Sequence, residues 1–174
     1  TYSRDAANYR LCYKLDAYGL SPNSRQWVYV DAVNGSIAGT MDQIHEDVPA
    51  VAETRYSGTQ TMLVDSITPG YYILQEHTRG DGVETYNMQT VASDFIPDSA
   101  VDFYDGDNYW DNGNAEFDDA ATDVHWGNQM VYDYYWNEYG RDSYDGNGKL
   151  IVAYVHVGTA WFNARFAGDW MEYG

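Results

Sequence analysis

One stretch of the chain carries hydrophobic residues at the spacing of an α-helix, whereas most other patterned segments alternate every second residue. This stretch is Asp118–Tyr139, and Gly140 follows it. Aspartates near its start favour a helix N-terminus, and Gly140 can adopt the left-handed conformation that ends a helix. The residues that define the period are Ala121, Val124, Asn128, Val131, Tyr135 and Tyr139. The pattern predicts an α+β fold with one long helix among strands.

Alternating hydrophobic and polar positions predict two antiparallel β-meanders. The first covers residues 8–44, where Asn34 and Gly35 form the dipeptide that a tight hairpin prefers. The second begins after residue 58, and its strands are predicted over residues 59–64, 71–76 and 83–89.

Two further strands are predicted after the helix. Residues 150–157 have hydrophobic side chains on both faces, which is typical of a strand buried on both sides. Residues 161–166 are predicted to form another strand after a glycine-containing turn.

The stretch of residues 45–58 interrupts the alternating pattern with charged residues, Pro49 and Gly58. We therefore expect a linker over residues 48–57, which separates a first module, residues 1–47, from a second, residues 58–174. Because the linker is polar and contains a proline, we also expect it to be exposed and to be a possible site of proteolytic processing.

The composition narrows the choice of partners. Nine basic residues against 27 acidic ones give a net charge of −18, so a nucleic acid would be repelled. Cys12 is the only cysteine, which excludes an intrachain disulfide and a thiolate metal cluster. No apolar run approaches the roughly 20 residues that a membrane span needs. The 18 tyrosines and six tryptophans favour an extracellular protein.

A long acidic segment lies before the helix, between residues 90 and 118, and long irregular segments often carry function. Within it, Asp105 and Asp107 flank Gly106. Hard cations such as Ca²⁺ bind clustered oxygen ligands of this kind. The spacing makes calcium binding a candidate role, and a solvated acidic loop is the alternative.

Several segments then occur in a recognisable order: YYILQE (71–76), TRGDG (78–82), TYN (85–87), DVHWG (123–127), YDYY (132–135), GRDSYDGNG (140–148), YVH (154–156), NA (163–164) and MEYG (171–174). Together they resemble the N-terminal half of the thermolysin family of secreted zinc metallopeptidases, collinearly from about residue 58 onward. Residues 9–44 are similar to the end of that family's propeptide, which assists folding and blocks the cleft. The resemblance implies a propeptide-like module in residues 1–47 and an incomplete N-terminal peptidase lobe in residues 58–174.

The resemblance also implies which residues bind the peptide substrate. Asn163 and Ala164 would lie on an edge strand whose backbone pairs with an extended peptide, as binding by strand addition requires. Arg165 and Phe166 follow on the same strand, where the family commonly has Phe and Trp, so the shape of this subsite would differ.

For the acidic segment, the resemblance implies that Asp105 and Asp107, with Tyr109, occupy the position of a family calcium site. Calcium is therefore the metal expected within this chain.

Zinc is expected outside it. Zinc-dependent hydrolysis uses two histidines one helical turn apart, a third ligand and a glutamate that accepts a proton from the bound water. The 174 residues contain no HExxH motif. We expect these groups on a C-terminal lobe that this chain lacks, and no peptidase activity from this polypeptide alone.

Three hypotheses of function remain at this point. The first is the N-terminal portion of a secreted zinc endopeptidase, whose partners are a peptide or protein substrate and the missing lobe. The second is a non-catalytic extracellular structural protein, derived from a peptidase half-domain, that self-associates through exposed strand edges. The third is a calcium-dependent binding module, which rests on the acidic segment alone.

Overall fold

The computed structural model describes residues 10–20, 23–42, 46–92, 100–111 and 118–174. The chain divides into two compact units, Thr1–His45 and Glu46–Gly174. Parts of the acidic segment, residues 93–99 and 112–117, lie outside the described residues, as do residues 43–45 next to the predicted linker.

The first unit contains a three-stranded antiparallel sheet in the order β1-β2-β3, formed by Cys12–Leu20, Asn23–Asp31 and Ile37–Asp42. The hairpin between β2 and β3 turns at Asn34 and Gly35, as predicted. Asp31 accepts hydrogen bonds on Oδ1 from the backbone N–H groups of Val33 and Asn34, at 2.8 and 3.2 Å. Gly35 has a φ of 74°, which a residue without a Cβ adopts at little cost.

Within its described residues, the second unit contains two sheets and one helix. Its strands are β4 (Asp47–Thr54), β5 (Gly58–Thr68), β6 (Tyr71–Ile73), β7 (Gln75–Glu76), β8 (Val83–Asn87), β9 (Val101–Asp102), β10 (Tyr104–Asp105), β11 (Tyr109–Trp110), β12 (Ile151–Val155), β13 (Ala164–Phe166) and β14 (Met171–Tyr173). The helix α1 is Asp118–Tyr139, with the predicted bounds. One sheet has the order β10-β6-β5-β4-β11, and the other has the order β13-β14-β12-β8-β7, with β9 paired to β8.

The central strands of the second sheet are parallel, whereas the predicted meander was antiparallel. Strand β12 pairs in parallel with β8 on one side and with β14 on the other. Most residues of β12 are buried, in agreement with the expectation of burial on both faces. Alternation along a strand reports which faces are buried but not the direction of its neighbours, so the pairing could not be predicted from the pattern.

The expected linker over residues 48–57 is wrong as a description of conformation, because most of it forms β4. Ala50 and Ala52 are buried and alternate with outward-facing residues, and β4 pairs with both β5 and β11. Pro49 lies at an exposed position of the strand, where its carbonyl accepts a hydrogen bond from the Asn108 side chain. The small alanines gave too weak a hydrophobic signal to outweigh the proline. Cleavage of the chain in this region stays a prediction.

The main hydrophobic core lies in the second unit, where the start of α1 packs on the sheet of order β10-β6-β5-β4-β11. Buried members of this core are Ala50, Ala52, Met62, Val64, Leu74, Phe103, Trp110, Ala121 and Val155. Within the described ranges, no helix is long and apolar enough to cross a membrane.

The buried face of α1 matches the predicted one only in part. Val131 and Tyr139, which belong to the predicted period, are 57% and 66% exposed, and Tyr135 and Trp136 are also exposed. Ala121 and Asn128 of the predicted period are buried, and the other buried residues are Asp118, Thr122, His125, Gln129 and Tyr132. Most of these are polar, so a hydrophobic period cannot reveal them.

Candidate functional site

His125 connects α1 to both sheets and is fully buried. Its Nε2 lies 2.9 Å from the carbonyl of Leu63 on β5, and its Nδ1 lies 3.1 Å from the hydroxyl of Thr85 on β8. Because the carbonyl only accepts, Nε2 carries the proton and Nδ1 accepts from Thr85. Burial, assisted by the positive charge of Arg79, lowers the pKa of His125 to about 4, while the hydrogen bond to Leu63 opposes this shift. The neutral ring therefore holds the helix in place at physiological pH.

Strand β13 lies at an edge of the second sheet. It pairs with β14 alone among the described strands, and its three residues, Ala164 to Phe166, are all exposed. Asn163 immediately precedes the strand. The fold thus brings the four predicted substrate-binding residues to a sheet edge, and their role in binding stays a prediction.

Alternate residues of β13 direct their backbone groups in opposite directions. The carbonyl of Asn163 and the N–H of Ala167 bond towards β14; their partners are Gly174 N at 3.0 Å and Trp170 O at 2.8 Å. Ala164 and Phe166 consequently direct their N–H and C=O groups away from β14. The side-chain Oδ1 of Asn163 accepts the Ala164 N–H at 2.9 Å.

Arg165 is held by a buried carboxylate that sequence reasoning missed. Glu172 lies opposite Arg165 on β14 and is only 1% exposed. Its Oε2 accepts from Arg165 Nε at 2.8 Å, and its Oε1 accepts from Trp170 Nε1 at 2.9 Å. The Arg165 guanidinium also lies 5.8 Å from the centre of the Trp161 ring. A lone glutamate in a short alternating segment gave no signal of this pairing.

The acidic loop has both predicted carboxylates close together. Asp105 Oδ1 accepts from the backbone N–H groups of Asp107 and Asn108, at 3.0 and 2.6 Å, and Asp107 Oδ1 accepts from Tyr109 N at 3.0 Å. Burial and the neighbouring charge of Asp107 raise the pKa of Asp105, while the backbone hydrogen bonds oppose this shift.

Tyr109, the third predicted ligand, is engaged elsewhere through its side chain. Its hydroxyl donates to Glu53 Oε1 at 2.7 Å, and this bond raises the pKa of Tyr109. Across the ranges that the structure describes, no cluster of three or more His, Cys, Asp or Glu side chains could hold a metal ion. Calcium binding at Asp105, Asp107 and Tyr109 stays a prediction.

An open cleft of about 510 Å³ lies at the carboxyl ends of the three parallel strands. Asn87 ends β8, His156 follows β12 and Gly174 follows β14, and all three line the cleft. In sheets with parallel strands, ligands commonly bind at this end. Phe162 extends the cleft towards the start of β13.

The same cleft gathers residues with unusual backbone conformation. Four non-glycine residues that line it have a positive φ of 51° to 66°: Gln89, Thr90, His156 and Ala160. Such residues cost about 1–3 kcal/mol each and cluster at functional sites. No sequence signal indicated this cleft, because backbone strain at ordinary residues leaves no motif.

These features describe a sheet edge beside a cleft. Comparison with known families gives a metallopeptidase as the class. The model that matches is described as the thermolysin metallopeptidase catalytic domain, and the match covers residues 50–174. The chain belongs to the thermolysin metallopeptidase family.

Individual relatives extend this similarity to nearly the whole chain. Bacillolysin from Bacillus caldolyticus is 36% identical over 180 residues, which cover 95% of this chain and 32% of the relative. Thermolysin from Alicyclobacillus acidocaldarius subsp. acidocaldarius is 35% identical over 185 residues, covering 98% and 32%, respectively. Neutral protease B from Bacillus subtilis (strain 168) is 33% identical, covering 95% and 31%. The chain spans about a third of the length of these relatives.

Proposed function

We propose that this chain forms the N-terminal portion of a zinc-dependent endopeptidase and that β13 binds the extended peptide substrate. The observation that carries this proposal is the exposed edge of β13, on which Ala164 and Phe166 direct their backbone groups away from the sheet. Membership of the thermolysin metallopeptidase family supports it.

A peptide would add to the sheet as a further strand. Three residues of β13 extend about 10 Å, enough to pair with three residues of a substrate. Main-chain hydrogen bonds of this kind give affinity without strong dependence on sequence. The cleft beyond Phe162 would receive substrate residues that pass the start of β13, which makes it a candidate for side-chain selection.

Zinc would be bound outside these 174 residues, which lack an HExxH motif. When bound, zinc would polarise a water molecule for attack on the peptide bond. The role of this chain is then to position the substrate, and the chain alone would have no activity. The relatives are about three times as long, which leaves ample chain for a lobe that carries the metal.

Residues 1–47, which include the first unit, are proposed to be the end of a propeptide-like module. Support comes from the alignments, which extend beyond residues 50–174 into this unit. A processing site would then fall in the expected junction, residues 48–57, which begins just after the boundary between His45 and Glu46 at which the chain divides.

The acidic loop is proposed to bind calcium through Asp105 and Asp107. The donors fit in kind, because carboxylate oxygens are the ligands that Ca²⁺ prefers. A cation would also offset the repulsion between the two carboxylates, which contributes to the raised pKa of Asp105. Tyr109 would contribute through its backbone, because its hydroxyl is bonded to Glu53.

We also propose that the protein acts outside the cell. The composition, rich in tyrosine and tryptophan, supports this location. The alternative of a self-associating structural protein receives no support from the comparisons, which match a peptidase catalytic domain.

The test uses the protein expressed from its complete gene, with peptide hydrolysis as the assay. Ala164→Pro removes the edge N–H, which a substrate carbonyl would take over from Asn163 Oδ1, and places a ring on the pairing edge, so kcat/KM should fall by about ten-fold or more. Ala164→Ser keeps the N–H and should retain most of the activity. An Ala164→Pro enzyme with unchanged kcat/KM and an unchanged circular dichroism spectrum would rule out substrate pairing along β13.

A further inference from the structure

Arg165 is the charged residue of the exposed edge strand β13. Its side chain is 53% exposed, whereas the side chain of its partner Glu172 is only 1% exposed. Both carboxylate oxygens of Glu172 accept hydrogen bonds, Oε2 from Arg165 and Oε1 from Trp170. The carboxylate is thus enclosed by the protein. The guanidinium is the charged group of this pair that a peptide bound at the edge can contact.

The guanidinium of Arg165 is held in place from two sides. Its Nε lies 2.8 Å from Glu172 Oε2, and its central carbon lies 5.8 Å from the centre of the Trp161 ring, within the range of a cation–π contact. A side chain that is already ordered loses little further conformational freedom when a ligand binds. A guanidinium also carries five N–H donors, so its bond to Glu172 is compatible with contact to a further anion. Arg165 therefore offers a preformed cationic contact beside the strand edge.

The register of β13 determines which substrate residue would meet this cation. Arg165 lies opposite Glu172 on β14, while Ala164 and Phe166 direct their backbone groups away from β14. An antiparallel peptide bonded to Ala164 and Phe166 would place one residue directly opposite Arg165, in a pair without hydrogen bonds. In such pairs the Cα atoms are about 4.5 Å apart and the side chains are closest. The two side chains project from the same face of the sheet, so this substrate side chain would lie beside the guanidinium.

We propose that Arg165 selects substrates with an acidic residue, Asp or Glu, at the position opposite it on the paired peptide. This inference rests on the proposed function, in which the substrate pairs with β13. Opposite charges directly across two antiparallel strands stabilise the pairing. The net charge of −18 repels acidic peptides at long range, so the preference arises from local contact and is confined to one substrate position. The two neighbouring substrate residues project from the other face, which carries Phe166.

The experiment compares peptides that differ only in Glu or Gln at one position, and this position is moved along the peptide. Gln has nearly the size of Glu but no charge. The enzyme is expressed from its complete gene, kcat/KM is measured at neutral pH, and mass spectrometry verifies that the same bond is cleaved. Glu should be preferred about five-fold at one position and not at its neighbours, the factor of a favourable ion pair at a half-exposed site. Salt at about 1 M should reduce this preference by screening the charges.

Three variants assign the preference to the charge of Arg165. Arg165→Gln combined with Glu172→Gln removes both charges, which avoids a buried carboxylate without its cation, and should give a Glu/Gln ratio near one. Arg165→Lys keeps the positive charge and should retain a preference of about two-fold or more. Arg141→Gln is the matched control, because Arg141 is exposed and lines a cavity together with Phe166, on the other face of the sheet. It should retain the five-fold preference.

Two results would overturn this inference while leaving the proposed function intact. One is hydrolysis by the unmodified enzyme with a Glu/Gln ratio near one at every position. The other is a preference for Glu that persists in the variant lacking both charges. Failure of the proposed function gives a different result, since Ala164→Pro would then leave kcat/KM unchanged for the Glu and Gln peptides alike.

Discussion

The buried imidazole of His125 should make the stability of the second unit depend on pH between about 6.5 and 4. The folded state holds the neutral ring, with a pKa of about 4, whereas the unfolded chain has the ordinary value of about 6.5. Below pH 6.5 the unfolded chain binds a proton that the folded chain does not. Stability is therefore complete above pH 6.5 and is lost as the pH falls towards 4.

The magnitude follows from the two pKa values. Each pH unit within this window costs about 1.4 kcal/mol, so the free energy of unfolding should be about 2 kcal/mol lower at pH 5 than at pH 8 from this group alone. At pH 4 the loss should be on the order of 3 kcal/mol, and at lower pH the contribution becomes constant.

The assay is urea unfolding, followed by tryptophan fluorescence, at several pH values from 8 to 4. Carboxylates also titrate in this range, so the unmodified chain is compared with His125→Gln. Glutamine is uncharged and carries both a donor for Leu63 and an acceptor for Thr85, the two partners of His125. The difference in unfolding free energy between the two proteins isolates the histidine. A difference that stays constant from pH 7 to 4.5 would refute the reasoning.

Three other predictions concern charge, packing and metal binding. Arg165→Leu should lower the free energy of unfolding, measured with urea, by about 3–5 kcal/mol, because the buried Glu172 would lose its cationic partner. Adding Glu172→Gln should recover part of this loss. A loss below about 1 kcal/mol would contradict the account. Gly80→Ala should destabilise the fold more than Gly58→Ala. Both residues have a positive φ, but a new Cβ at position 80 would lie 2.6 Å from the Gly148 carbonyl oxygen, whereas nothing lies within 4 Å of one at position 58. Equal decreases in melting temperature would count against this packing. Calcium added to the chain should raise its melting temperature, and Asp107→Asn should reduce this increase. If calorimetry detects no heat of calcium binding, the calcium proposal is wrong.

Local signals in the sequence were sufficient where the deciding groups are neighbours along the chain. The bounds of α1, Asp118–Tyr139, followed from acidic residues at the start and a glycine after the end. The hairpin at Asn34 and Gly35 likewise depends on the backbone freedom of adjacent residues. The motifs of residues 71–174 were sufficient for the family, which the comparison confirmed.

The candidate site was only partly predictable. Asn163 to Phe166 could be placed on a strand from motif and pattern, and the fold brings them to a sheet edge. The attachment of Arg165 to Glu172 depends on the register between β13 and β14. The cleft of strained residues depends on loops that approach each other only in the folded chain.

The sequence by itself determined the long helix, the strand-rich class, the first antiparallel sheet and the family. The tertiary structure alone decided that β8, β12 and β14 run parallel, that Asp47–Thr54 is an inner strand, and that α1 buries polar side chains. The physical reason is common to all three. A strand's partners and a polar side chain's burial are set by hydrogen bonds to groups far away along the chain, as between His125 and Leu63, and residue periodicity does not record such distant partners.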